Sequence, residues 1–184
     1  SAGRRAVPGQ SGAEAPPPAL TVPLAPVHDF AAKLRQPGLR PRLEDYVRWR
    51  RAVREAEERG AAAPPMPGWA PLSINLDLTT ACNYACDHCI DFDTLNSGIA
   101  FRDARLLDSL SQMARRGLKS VILIGGGEPT VHPGFAPVVR HVKALRLQTA
   151  VVSNGSRNAK ILEVAEAFTA GDWVRLSLDA GTDA

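Results

Sequence analysis

Residues 76–90 read LDLTTACNYACDHCI, and the rest of the chain is organised around them. An apolar segment, predicted to be a strand, runs into a loop that carries all three cysteines, Cys82, Cys86 and Cys89, with the spacing C-x3-C-x2-C. Thiolates are soft ligands that suit an iron–sulfur cluster. Because such a cluster usually takes four cysteines, three would leave one iron without a protein ligand and able to bind another molecule.

A structural zinc site is the alternative for these cysteines, with His88 as the fourth ligand of a Cys3His set. His88 and Cys89 are neighbours in the sequence, so both side chains would have to converge on one metal ion. The second ligand pair that most zinc modules carry downstream is also missing. The spacing therefore favours a cluster and leaves zinc open.

Composition restricts the class of protein. The chain has 184 residues, of which 45% are hydrophobic and 22% charged, a balance typical of a soluble globular protein. No apolar run is long enough to span a membrane, and no signal peptide opens the sequence. The clustered cysteines indicate a metal site in a reducing cytoplasm. A formal net charge of +3 is too small for a nucleic-acid footprint, so we expect a cytoplasmic protein that binds neither membrane nor nucleic acid.

Three segments follow one another along the chain. Residues 1–27 are rich in Pro, Ala and Gly and are predicted to be a disordered lead. Residues 28–71 are predicted to form a helical extension and a proline-rich linker, with helices at 28–36 and 42–59. Residues 72–184 are predicted to form the core domain.

Strands and helices alternate through this core. Strands are predicted at 72–78, 120–124, 148–153 and 173–178, and helices at 102–117, 135–145 and 158–168. The continuous apolar run 120–124 is typical of a strand buried on both faces. The alternation predicts an α/β fold with parallel strands, either a barrel or a doubly wound sheet. In both architectures the loops after the strands carry the chemistry, so the four loops should line one rim.

Four motifs in this order resemble the radical S-adenosylmethionine superfamily over about residues 72–184. They are CNYACDHC after the first predicted strand, GGGEP after the second, SNG after the third and SLDA at the fourth. The resemblance implies a [4Fe–4S] cluster on Cys82, Cys86 and Cys89, with S-adenosylmethionine chelating the open iron. It implies an oxidoreductase- or lyase-type enzyme whose 5′-deoxyadenosyl radical removes a hydrogen atom from a peptide, natural-product or other small-molecule substrate. The electron would come from a reductant such as flavodoxin or ferredoxin.

The same resemblance implies cofactor-binding roles for eight further residues. They are His88, Gly126, Gly127, Glu128, Ser153, Asn154, Ser177 and Asp179. The His88 backbone would lie along the adenine, and the Gly126–Glu128 loop would meet the methionyl amino group. Ser177 and Asp179 match positions near the carboxylate and ribose, whereas Ser153 and Asn154 lie closer to the substrate. The alternative for Asn154 is a turn formed with Gly155, and for Ser177 a packed strand position.

One feature departs from the family pattern. The family generally builds six βα units, and this sequence ends just after the fourth predicted strand. We therefore expect a partial TIM-type barrel that is the N-terminal part of a longer protein and is a poor catalyst alone. The alternative function is a non-catalytic metal-binding module, holding structural zinc or an electron-transfer iron–sulfur cluster.

Overall fold

A computed structural model describes residues 35–101 and 103–178. The predicted disordered lead at 1–27, most of the helix predicted at 28–36, and the predicted site residue Asp179 lie outside these ranges. Contacts divide the chain into two units, Ser1–Pro65 and Met66–Ala184, and each is described by itself. Within the described ranges, no helix combines the length and the apolar character needed to cross a membrane.

The first unit contains helix α1 (Arg40–Glu58). Pro41 lies in its first turn, where the missing N–H costs nothing because that donor has no partner inside the helix. Exposed ion pairs line the helix surface, such as Arg40 to Glu44 at 2.8 Å. Exposed ion pairs of this kind contribute little to the free energy of folding, and their charged side chains mainly keep this helix surface in contact with water. The helix predicted at 42–59 is confirmed to within two residues at its start and one at its end.

The second unit is a parallel sheet with helices between its strands. The strands are β1 (Ser73–Leu76), β2 (Ser120–Leu123), β3 (Gln148–Ser153) and β4 (Trp173–Leu176), and the helices are α2 (Asp103–Arg115), α3 (Phe135–Ala144) and α4 (Asn158–Leu162). Two 3-10 turns, Pro129–Val131 and Ala165–Ala167, follow β2 and α4. The four strands pair in the order β1-β2-β3-β4, all parallel.

The strand order identifies the architecture. A doubly wound sheet reverses its order at a switch point, whereas a TIM-type barrel adds each new strand beside the last. The order in this chain follows the sequence, so the sheet is an open part of a barrel, as predicted. All four strands therefore deliver the loops that follow them to the same edge.

The core lies between the sheet and its helices. Its buried side chains are Leu76, Leu78, Leu106, Leu110, Leu118, Val121, Leu123, Phe135, Val138, Val139, Val142, Leu147, Val151, Ile161 and Val164. Right-handed crossovers place the connecting helices on one face of such a sheet. In β2, Val121 and Leu123 are fully buried, whereas Ser120 and Ile122 are only partly covered. The prediction that this strand is buried on both faces is therefore wrong for the face that carries Ser120 and Ile122.

The helix predicted at 158–168 was too long. It ends at Leu162, and a separate 3-10 turn covers Ala165–Ala167. Between them the backbone at Val164 has φ −120° and ψ 4°, outside the helical range, while the Val164 side chain is fully buried. No glycine or proline marks this break, so the apolar periodicity predicts one continuous helix across it.

A polar cluster at the opposite edge of the sheet joins β3 to the loop before β4. The buried Asp172 carboxylate accepts hydrogen bonds from Thr149 N at 2.6 Å, Lys143 Nζ at 2.6 Å and Thr169 N at 2.7 Å. Burial raises the pKa of the Asp172 carboxyl, but the bonds from Lys143, Thr149 and Thr169 outweigh burial and hold its pKa below the ordinary value. These polar contacts around Asp172 thus stabilise the fold at the edge of the sheet away from the loops that follow the strands.

Asp172→Asn should destabilise the protein by about 3 kcal/mol at neutral pH, because it leaves Lys143 without its buried counter-ion. The folded pKa of Asp172 lies below the unfolded value of about 3.9, so its contribution is complete above pH 3.9 and disappears as the pH falls through the folded pKa. Urea denaturation at neutral pH and at successively lower pH should therefore show the difference in stability between the two proteins shrinking once the pH falls below about 3.9. Asp108→Asn, at an exposed carboxylate on α2, is the matched control, and an equal loss in both variants would contradict the assignment.

Candidate active site

The loop that carries the cysteines is closed at its base by Thr80. Thr80 N donates to Ile99 O at 2.9 Å, and Asn96 N donates to Thr80 O at 2.8 Å. The buried Thr80 hydroxyl adds bonds with Ile99 N at 3.1 Å and Ser97 Oγ at 3.2 Å. One residue earlier, Thr79 forms an antiparallel bridge with Ala100. The loop therefore leaves and re-enters the sheet at one fixed point.

The three cysteines are half-buried in this loop, and none forms a disulfide. Cys89 N donates to Cys86 O at 3.0 Å, which makes a tight turn between the second and third cysteines. Cys82 N donates to the Asn96 side-chain oxygen at 2.9 Å. Asn96 has φ +58°, a left-handed conformation that asparagine tolerates better than most residues. The first cysteine is thus fixed through its backbone by a residue far along the same loop.

The glycine loop after β2 packs directly on the start of the cysteine loop. Gly125 and Gly126 adopt φ +76° and +65°, which favour glycine. At Gly127 a Cβ atom would lie 2.2 Å from Ala81 O, so no side chain fits there. Gly126 N also donates to Asp91 Oδ2 at 3.2 Å. Glycine is needed because two backbones pass each other in contact.

Glu128 joins three strand-end loops. Its backbone N donates to Ala81 O at 2.9 Å, beside the first cysteine. Its buried carboxylate accepts from Thr130 N at 3.1 Å, Thr130 Oγ1 at 2.5 Å, Ser153 Oγ at 2.8 Å and Asn154 N at 2.7 Å. We call these contacts the Glu128 bridge. Both carboxylate oxygens are used inside the protein, so the bridge fixes the loops after β1, β2 and β3 against one another.

Asn154 extends this connection to the cysteine loop. Its side-chain Nδ2 donates to Asn83 Oδ1 at 3.1 Å, and its Oδ1 accepts from Ser156 N at 3.0 Å and Ser156 Oγ at 2.6 Å. Asn83 Nδ2 donates in turn to Ser156 Oγ at 2.8 Å. Asn83, Asn154 and Ser156 therefore form a closed ring of hydrogen bonds that joins the cysteine loop, just after Cys82, to the loop after β3.

The remaining predicted site residues lie at the same edge with fewer described contacts. Ser177 N donates to Ser153 O at 2.9 Å, which extends the β3–β4 pairing beyond the strand, and the residue is exposed. His88 is exposed on the cysteine loop. Asp179 is outside the described residues, so the structure gives it no position.

Asp77, which the sequence did not single out, stands beside the glycine loop and near Asp91, a carboxylate that the sequence placed just after the last cysteine. Asp77 follows β1 directly, and a Cβ atom on Gly125 would lie 2.8 Å from Asp77 Oδ1. Burial raises the pKa of Asp77, and the nearby Asp91 charge raises it further. Asp77 therefore keeps its proton to a higher pH than an ordinary aspartate, at the edge where the cysteines lie.

The model of the family described as the radical SAM superfamily matches residues 76–184, more than half of the chain. The chain belongs to the radical SAM superfamily. Members of this superfamily use a [4Fe–4S] cluster and S-adenosylmethionine.

Curated proteins with two different names are similar to part of this radical SAM chain. Mycofactocin maturase MftC of Mycobacterium tuberculosis is 33% identical over 61% of this chain, which spans 29% of that protein. An S-adenosylmethionine-dependent nucleotide dehydratase of a Thermoplasmatales archaeon is 34% identical over 59% of this chain, which spans 38% of it. The chain thus spans well under half the length of these relatives. SuiB of Streptococcus suis, solved bound to S-adenosylmethionine, is 21% identical over 70% of this chain and 27% of its own, with a TM-score of 0.49.

The donor set fits the superfamily's cluster. The thiols of Cys82, Cys86 and Cys89 lie on one loop that is closed at its base by the hydrogen bonds of Thr80. Three soft thiolate donors within eight residues are a donor set that suits a [4Fe–4S] cluster with one open iron.

Gly127→Ala should prevent the glycine loop from packing on Ala81, because the added methyl would meet Ala81 O at 2.2 Å. We expect a lower thermal midpoint and a fall in iron bound per chain after anaerobic reconstitution. Gly68→Ala is the matched control, since its nearest atom beyond the chain neighbours is Arg116 Nη2 at 4.0 Å. Parental stability and iron content in Gly127→Ala would refute the close-packing account.

Glu128→Gln should lower the free energy of unfolding by about 1–3 kcal/mol, because an amide nitrogen replaces one oxygen that now accepts protein donors. The measurement is chemical denaturation of the variant beside Glu166→Gln, an exposed glutamate in a long ion pair with Arg140. The Glu166 variant should stay within about 0.5 kcal/mol of the parent. If the two variants lose the same amount, the Glu128 bridge is not a strong constraint.

Proposed function

We propose that Cys82, Cys86 and Cys89 hold a [4Fe–4S] cluster whose fourth iron takes S-adenosylmethionine. One observation carries the proposal: the Glu128 bridge draws the loops after three strands together around a loop whose three cysteines have the spacing C-x3-C-x2-C. Three thiolates on one loop bind three irons of such a cluster and leave the fourth position to a second molecule.

The surrounding residues divide between direct and supporting roles. Gly126 and Gly127 let the glycine loop pack on the start of the cysteine loop, and the backbone oxygens of this loop would meet the methionyl amino group. Glu128 supports this loop indirectly, because its carboxylate already accepts from Thr130, Ser153 and Asn154. In the proposed complex the His88 backbone would contact the adenine, and Ser177 and Asp179 would contribute near the carboxylate and ribose. Ser153 holds the Glu128 carboxylate, and Asn154 contacts the cysteine loop.

When bound, the two cofactors supply an electron-driven cleavage of S-adenosylmethionine to methionine and a 5′-deoxyadenosyl radical that removes a hydrogen atom from substrate. The chain's residues bind and orient the reacting groups and keep competing molecules away. A soluble reductant such as flavodoxin or ferredoxin delivers the electron. The protein is a cytoplasmic enzyme of oxidoreductase or lyase type.

The charge of the cysteine loop favours a peptide substrate over a nucleotide. Three carboxylates, Asp87, Asp91 and Asp93, lie within 12 residues of Cys82. Such a surface repels phosphate groups. Tyr84, Phe92 and Ile99 expose 48%, 54% and 63% of their surface on this loop and offer apolar contact. A peptide, or an uncharged or cationic natural product, fits these properties better than the nucleotide in the name of the dehydratase relatives.

The function is tested by anaerobic reconstitution with iron and sulfide, followed by assay of S-adenosylmethionine cleavage in the presence of a strong reductant. We expect about four irons and four sulfides per chain, and formation of 5′-deoxyadenosine. Cys86→Ala should abolish both, because it removes one of three ligands. Asp93→Asn, an exposed change on the same loop, should keep the cluster. Bound zinc without acid-labile sulfide would overturn the proposal.

A further inference from the structure

The side-chain amide of Asn154 reaches the sulfur of the first cysteine. Asn154 Nδ2 lies 3.9 Å from Cys82 Sγ, and Tyr84 N donates to the same sulfur at 3.4 Å. Two N–H groups thus point at one thiol that is half-buried and held through its backbone by Asn96. Donors aimed at a cluster thiolate from outside the ligand set influence both the geometry and the potential of the cluster.

The orientation of this amide is fixed by its own partners. Ser156 N is a backbone donor, so the Asn154 atom that faces it at 3.0 Å must be the oxygen. The nitrogen is therefore turned toward the cysteine loop, where Asn83 Oδ1 accepts from it at 3.1 Å. Ser156 Oγ closes the ring by accepting from Asn83. The amide cannot rotate without breaking several hydrogen bonds together.

A turn alone does not require asparagine at this position. The bond from Ser156 N to Asn154 Oδ1 is an Asx turn, which aspartate forms equally well. Aspartate would place a charged acceptor, rather than a donor, opposite Asn83 Oδ1 and Cys82 Sγ. The feature that distinguishes asparagine is the N–H group, and that group faces the cysteine loop. The turn therefore accounts for the side-chain oxygen at position 154. The contacts with the cysteine loop account for the side-chain nitrogen.

We propose that Asn154 is a positioning residue for the Cys82 thiolate, and that its amide, held by Asn83 and Ser156, raises the reduction potential of the cluster. The inference rests on the proposed function, because it requires that Cys82 bind a cluster. The physical reason is that reduction adds negative charge to the cluster and its sulfurs, and an N–H donor stabilises that charge. Asn154 then acts on the cluster itself rather than through S-adenosylmethionine or substrate.

The test is a redox titration of the reconstituted holoprotein, following the electron paramagnetic resonance signal of the reduced cluster without S-adenosylmethionine. Asn154→Ala removes the donor, and Asn154→Asp replaces it with a negative charge. We expect the potential to fall in both variants and to fall further in Asn154→Asp, with a shift of about tenfold in the reduction equilibrium, or about 59 mV for one electron. Asn158→Asp, the same chemical change at the start of α4, is the matched control and should titrate like the parent.

A second variant separates ordering of the amide from its presence. Asn83→Ala keeps the Asn154 amide but removes the acceptor that holds it, so we expect a smaller fall in potential and faster loss of iron to a chelator. Parental potentials in both Asn154 variants would overturn the inference while leaving the proposed function intact. Should the Asn154 variants fail to load a cluster, parental potential and iron retention in Asn83→Ala would overturn it instead. Absence of a cluster from the parent would overturn the proposed function first.

Discussion

The carboxylate of Glu128 is the constraint on which the rest of the site depends. It is buried, and four protein donors satisfy it from its own loop and from the end of β3. Its backbone N–H reaches Ala81, the residue before the first cysteine. A buried carboxylate with so many partners is costly to disturb, because any movement leaves donors or acceptors without partners away from water. The loops after three neighbouring strands therefore hold one arrangement relative to each other before any ligand binds.

This arrangement explains the residue types at the strand ends. Glycine stands where two backbones touch, at Gly127 against Ala81, since a methyl group would overlap the carbonyl. Asparagine stands where one side chain must both donate and accept, at Asn83 and Asn154, because its amide offers both kinds of group. Cysteine stands on the loop that these residues fix. Preorganisation of this kind lets a reactive cofactor be held without the protein rearranging during the reaction.

Much of this edge of the sheet could be predicted from the sequence because parallel strands share a direction. Once β1, β2 and β3 are recognised, the cysteine loop, the glycine loop and Ser153–Asn154 must meet at their carboxyl ends. The partners of Glu128 could not be predicted, because they depend on loop conformations that no periodicity encodes. Asn83, Asn96 and Ser156 escaped notice for the same reason, since isolated polar residues in loops carry no pattern. The raised pKa of Asp77 depends on burial and on its distance from Asp91, which are properties of the folded loops. The helix break at Val164 could not be predicted either, because no glycine or proline stands there.

The proposed function requires that a cluster on Cys82, Cys86 and Cys89 keep one iron open for S-adenosylmethionine. The most direct measurement is electron paramagnetic resonance of the reduced, reconstituted protein, recorded with and without S-adenosylmethionine under otherwise identical conditions. We expect a reduced-cluster signal whose g-values change on addition of S-adenosylmethionine, because the ligand would bind the iron itself. A reduced cluster whose signal is indifferent to S-adenosylmethionine at saturating concentration would contradict it.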